Sequence, residues 1–107
     1  AGAYSAAKSA LTQIGRVAAM ELGGYGIRVN MLHPNAVFDT GIWNEEVLTK
    51  RAENYGMTVD EYKTNNILKT SITSHDVAGL VLTMCGHAFA KTTGAQVPID
   101  GGNDRVI

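Results

Sequence analysis

The chain has 107 residues, 45% of them hydrophobic and 18% charged, with a formal net charge of -1 at pH 7. That balance excludes a disordered chain, gives no electrostatic case for nucleic acid, and suffices for one modest core. No apolar run reaches membrane-spanning length, no signal peptide opens the sequence, and the single cysteine cannot close an intramolecular disulfide, so a reducing cytoplasm is expected.

The first pattern met is Tyr4-Ser5-Ala6-Ala7-Lys8. On a helix Tyr4 and Lys8 share one face, with Cβ atoms about 6 Å apart. The ammonium favours the phenolate, which suits a tyrosine that moves a proton at a carbinol oxygen while a hydride arrives or leaves. A surface aromatic beside a solvated lysine has the same spacing, so the pair takes its meaning from the motifs downstream of it.

Ser5 to Leu22 reads as a helix, with Ala7, Leu11, Ile14, Ala18 and Leu22 at helical intervals. Its small residues permit close approach by a neighbour, and Gly23 and Gly24 are expected to end it as left-handed caps. Ile27 to Leu32 reads as a short buried strand stopped by Pro34, which suggests a parallel α/β sheet. His33 to Ile42 then form the loop at the strand's carboxyl end, where ligands bind in open α/β sheets.

Asn44 is placed to cap a helix running to about Tyr55, and Thr58 and Glu61 have capping-box spacing before a shorter one. With no strand between them, these helices read either as a lid or as a surface-packed insertion. Trp43 before them is either a pocket wall or the anchor of the excursion. Thr73 and Asp76 form another capping box, and the stripe Val77, Leu80, Val81, Met84, Cys85 runs through a helix ending near His87, with Cys85 expected in the core. Thr93-Gly94 reads as a turn, Ala95 to Ile99 as a strand, and Gly101-Gly102 as an unusual backbone. His33, His75 and His87 show no ligand-like spacing, so no metal site is expected. Core or rim packing is expected of His33, with binding as the alternative.

Taken in order, Tyr4-Ser5-Ala6-Ala7-Lys8, Gly26-Ile27-Arg28-Val29-Asn30, Pro34 with Val37 and Thr40, Thr93-Gly94 and Asp100-Gly101-Gly102 resemble the C-terminal part of the short-chain dehydrogenases/reductases. The resemblance covers nearly the whole chain. It implies an α/β fold, the C-terminal portion of a doubly wound parallel-sheet Rossmann domain, with residues 1–107 as one piece of it and the N-terminal half absent. It implies NAD or NADP as cofactor and a small-molecule alcohol or carbonyl substrate. Tyr4 would be the catalytic acid/base, and Lys8 would support it and hydrogen-bond the nicotinamide ribose. Pro34, Asn35, Ala36 and Val37 would lie against the nicotinamide, with the Val37 backbone at its carboxamide. Thr40 would reach the phosphate region.

Two positions depart from the family pattern. Asn35 stands where a glycine usually follows the proline, and a left-handed asparagine is expected to preserve the turn. Thr40 stands one residue later than usual. The run His33 to Trp43, the inserted helices and Lys91-Thr92-Thr93-Gly94 most resemble the dehydrogenase module of bifunctional rhamnulose-1-phosphate aldolase/alcohol dehydrogenases, which would act on a compound such as lactaldehyde.

The glycine-rich fingerprint, the catalytic serine and the first strands of that family are not found in the sequence. A fragment of this kind is expected to be inactive alone, and to cover its open sheet edge and apolar helix face by forming a homo-oligomer. A non-catalytic interaction or oligomerisation module on the same half-fold is the alternative reading.

Overall fold

A computed structural model describes residues 1–103. The elements in order are α1 (Gly2–Leu22), a 3-10 turn (Gly23–Tyr25), β1 (Met31–Pro34), α2 (Glu45–Asn54), α3 (Val59–Lys63), α4 (Ser74–Cys85), a second 3-10 turn (His87–Phe89) and β2 (Gln96–Ile99). They fall into two compact units. The first is Ala1–His33 with Val81–Val97, and the second is Pro34–Leu80 with the described residues from Pro98 to Asn103.

β1 and β2 pair as a two-stranded sheet among the described residues. The Met31 N–H donates to the Ala95 carbonyl at 2.8 Å and the Asn35 N–H to the Ile99 carbonyl at 3.3 Å. Partner numbers rise together, so the pair is parallel. The α/β class therefore stands, but the strand begins later than Ile27. Before Met31, the Gly94 N–H still donates to the Val29 carbonyl at 2.7 Å, and polar side chains supply the other bonds. The Val29 N–H donates to Thr93 Oγ1 at 3.0 Å, while Asn30 donates to the Thr92 carbonyl and accepts from the Ala95 N–H, both at 3.0 Å. Pro34, which has no N–H, takes the last strand position.

In the first unit the covered small residues of α1 are Gly15, Ala18 and Ala19, while residues 1–10 are exposed. Ala19 is buried, and a Cβ on Gly15 would collide with the Met31 side chain. Of the apolar stripe, Ala18 and Leu22 are partly covered, whereas Leu11 and Ile14 stay 61% and 65% exposed, an open apolar helix face. The helix end is corrected. Gly23 remains right-handed (φ -59°), the chain tightens into the 3-10 turn, and Gly26 (φ 75°) makes the left-handed exit.

Arg28 donates to the carbonyls of Met84 (3.0 Å) and Cys85 (3.4 Å), placing a cation on the C-terminus of α4. Met84 is buried there, but Cys85 and Val81 are exposed, against the expected stripe. α4 ends at Cys85 rather than near His87, so its last turn leaves only Met84 buried. His33 is half-buried and hydrogen-bonded to Gln96, which places it in packing.

In the second unit the local caps form as expected. Asn44 accepts from the Val47 N–H at 2.8 Å, and Thr58 and Glu61 close a capping box. Thr73 accepts from the Asp76 N–H at 3.2 Å while the Asp76 carboxylate accepts from the Thr73 N–H at 2.9 Å. Leu48 and Ala52 of α2 are buried, as are Phe38 and Ile72. Gly101 (φ +65°) and Gly102 (φ +83°) lie against Asn66 and Ile67, where a side chain would not fit.

Candidate active site

Tyr4 and Lys8 stand on the first two turns of α1, within the first unit. Tyr4 is 69% exposed, and the Lys8 ammonium lies 5.5 Å from the centroid of its ring. The helical spacing thus brings cation and aromatic into direct attraction. Both polar groups are open to solvent, so the pair can meet a ligand without rearranging a core.

The loop after β1 belongs to the second unit. It is built so that the backbone turns at Ala36, which has φ 57°. The left-handed residue is therefore Ala36 and not Asn35, whose N–H instead extends the strand pairing to Ile99. The left-handed residue itself carries only a methyl group, the smallest side chain next to glycine. Pro34 beside it is exposed. Thr40 is exposed, and its hydroxyl donates to the Val37 carbonyl at 3.3 Å, which closes the loop on itself.

Three contacts hold this loop. Val37 forms an isolated parallel bridge with Ile72. The buried Phe38 ring meets Trp43 edge-on and Tyr62 of α3 at 5.3 Å. Asp39 accepts three hydrogen bonds from Ser74, two from its N–H at 3.0 Å each and one from its hydroxyl at 2.8 Å. The Asp39 carboxyl is held below its ordinary value of 3.8, first by the Ser74 N–H and next by the Ser74 hydroxyl. Trp43 is thus an anchor of the excursion, and α3 is tied through Tyr62 to the root of the loop. Neither Asp39 nor Phe38 carries a sequence signal of this role, because their partners are remote in the chain.

A family model described as Enoyl-(Acyl carrier protein) reductase matches residues 1–104. The chain belongs to the short-chain dehydrogenase/reductase family. The uncharacterized oxidoreductase YuxG of Bacillus subtilis is 35% identical to it over 107 residues, covering 95% of this chain and 16% of that protein. An uncharacterized NAD-dependent oxidoreductase of Mycobacterium tuberculosis is 30% identical over 102 residues, covering 94% of this chain and 37% of that one. The crystal structure of a short-chain dehydrogenase family protein from Francisella tularensis superposes with a TM-score of 0.76 at 31% identity, covering 96% of this chain and 43% of the other. The chain therefore spans well under half the length of these short-chain dehydrogenase/reductase relatives and corresponds to a portion of the Rossmann fold. Among its described residues, no helix is long and apolar enough to cross a membrane.

Proposed function

We propose that this chain is part of a nicotinamide-dinucleotide-dependent oxidoreductase that interconverts an alcohol and a carbonyl compound. The observation that carries the reading is the Tyr4–Lys8 pair, solvent-open and in mutual contact on α1. The bound dinucleotide, NAD or NADP, supplies the hydride acceptor or donor. Tyr4 Oη takes the proton from the carbinol in one direction and returns it to the carbonyl oxygen in the other. Lys8 stands beside Tyr4 to support it and binds the dinucleotide's ribose. The loop Pro34, Asn35, Ala36 and Val37 binds the nicotinamide, for which the methyl-sized side chain at the turn is suited, and Thr40 contributes toward the phosphates. The name of the mycobacterial relative, an NAD-dependent oxidoreductase, supports the cofactor assignment.

A small hydroxy-aldehyde or alcohol such as lactaldehyde is the substrate class in this reading, with the chain as the dehydrogenase module of an aldolase/dehydrogenase protein. The motif resemblance carries this reading; the chain spans 16% of YuxG but 37% of the mycobacterial relative, so these relatives differ more than twofold in length. A homo-oligomer and a cytoplasmic location belong to the same proposal. The exposed Leu11, Ile14 and Met20 of α1 support oligomerisation, and they equally favour the second reading, a non-catalytic interaction module.

The test is dinucleotide-coupled absorbance on the full-length protein with a panel of small aldehydes and alcohols. Tyr4→Phe is expected to lower turnover by about 10²- to 10⁴-fold while leaving the fold and dinucleotide affinity in place. Full turnover by Tyr4→Phe would exclude the acid/base role, and an absence of dinucleotide binding by the wild type would favour the interaction module.

A further inference from the structure

Beside the candidate loop, two short stretches run in parallel register. Val37 bridges Ile72, and two residues further along both, Asp39 meets Ser74 across a separation of 35 positions. The backbone ladder ends after its one bridge, and the Asp39 carboxylate continues it by accepting the Ser74 N–H on both oxygens and the Ser74 hydroxyl on one. Ser74 is the first residue of the 12-residue helix α4, so the carboxylate lies at the positive end of the helix dipole. Between the two attachments the Phe38 ring is buried, 7% exposed. The stretch 37–39 is therefore fixed at three successive residues, by a backbone bridge, an aromatic contact and a charge-assisted clamp. The following residues Thr40, Gly41 and Ile42 are exposed, and among the described residues the Thr40–Val37 hydrogen bond and the turn from Thr40 to Trp43 hold them.

The geometry points to Asp39 as a positioning residue: through Ser74 it pins the loop 37–42 to the start of α4, so that the loop meets the dinucleotide already ordered. This rests on the reading of the loop as a dinucleotide-binding element and deepens it. Asp39 itself touches no reacting atom. A loop ordered beforehand loses less entropy on binding, so the clamp acts on affinity for the dinucleotide and not on the proton-transfer step. The Asp39 carboxyl, held below its ordinary pKa by the Ser74 N–H and hydroxyl, agrees with a carboxylate that is charged and engaged at neutral pH.

The test compares wild type, Asp39→Ala, Asp39→Asn, Ser74→Ala and Ser74→Thr in the full-length protein. The readouts are NADH and NADPH affinity by calorimetry, kcat at saturating dinucleotide, and hydrogen exchange over residues 37–42. Asp39→Ala is expected to weaken dinucleotide binding about tenfold, with kcat within about twofold of wild type. Hydrogen exchange over 37–42 is expected to rise in the same variant. Asp39→Asn and Ser74→Ala are expected to fall between, since each keeps part of the clamp, and Ser74→Thr to restore affinity. The double variant Asp39→Ala/Ser74→Ala is expected to match Asp39→Ala alone, because the two act as one unit. Affinity within about twofold of wild type in both Asp39 variants would overturn the proposal. So would a loss of affinity without faster exchange over 37–42, or a fall in kcat at unchanged affinity. Should Asp39→Ala fail to fold, Asp39→Asn and Ser74→Ala decide by the same criteria. A wild type that binds neither dinucleotide would overturn the function itself and this inference with it, whereas a binding wild type with indifferent variants overturns the inference alone.

Discussion

Phe38 and Trp43 meet edge to face, with ring centroids 4.9 Å apart and planes at 79°. The contact spans the loop that begins at the end of β1, and Tyr62 joins it from α3. Phe38 is nearly buried while Trp43 is half-buried, so the two differ in how much they contribute to packing. Phe38→Ala is expected to destabilise the protein by about 3 kcal/mol, since it leaves a cavity beneath two rings. Trp43→Phe keeps an aromatic partner and is expected to lose about 1 kcal/mol. Chemical denaturation of the full-length protein measures both, and equal losses would place Trp43 as deep in the core as Phe38.

Ala36 has a left-handed backbone without being glycine. The conformation carries about 1–2 kcal/mol of strain for an L-residue, and glycine removes it at a cost of about 0.5–1 kcal/mol in unfolded-chain entropy. Ala36→Gly is therefore expected to be neutral or stabilising by up to about 1 kcal/mol. Ala36→Val, with a branched side chain in the same conformation, is expected to lose about 2 kcal/mol. Thermal melts of the two variants test this, and a stable Ala36→Val would show that the turn relaxes out of the left-handed region.

Gly15 and Gly101 both lack room for a side chain, but their neighbours differ. A Cβ on Gly15 would lie 2.2 Å from Met31 Sδ, part of a flexible chain with three rotatable bonds. Alanine also raises helix propensity there by about 1 kcal/mol, so Gly15→Ala is expected to change stability by no more than about 1 kcal/mol. A Cβ on Gly101 would lie 2.5 Å from Asn66 Cγ, and the backbone there is left-handed. Asn66 is 7% exposed and held to Thr70 by hydrogen bonds of 2.7 and 3.2 Å. It cannot yield, and Gly101→Ala is expected to lose about 2–4 kcal/mol. Denaturant midpoints of the two variants rank them, and a Gly101→Ala as mild as Gly15→Ala would refute the rigidity of Asn66.

Helix starts were legible in this sequence because capping is local. Asn44, Thr58 with Glu61, and Thr73 with Asp76 find partners within three residues. The Tyr4–Lys8 contact was legible for the same reason, as one helical turn brings the two side chains together. Strand limits were less so, because Val29 and Asn30 are satisfied by threonines more than 60 residues away. Periodicity marked α1 as a helix, and its apolar positions Leu11 and Ile14 stay exposed while Gly15 packs on Met31 and Ala19 is buried. The attachment of the loop through Phe38 and Asp39 had no local signature at all.

Asp39 and Asp76 give the second unit an acid-sensitive pair of clamps. Asp76 is lowered from its ordinary value of 3.8, first by the Thr73 N–H and next by the Thr73 hydroxyl, while Asp39 opposes and His75 assists. Asp39 is lowered mainly by Ser74, with His75 adding a small attraction. A folded-state value below the unfolded one means that the stabilisation is fully present above about pH 4 to 5 and fades as pH falls through the folded values. Both carboxylates are solvent-exposed, so screening keeps the effect small. The expected result is a wild-type melting temperature level from neutral pH to about pH 5 and falling below it, with Asp76→Asn lower at neutral pH and converging on wild type in acid. Thermal melts across that range, at low and high salt, provide the measurement. Curves that remain parallel down to about pH 3 would assign the acid sensitivity to other groups.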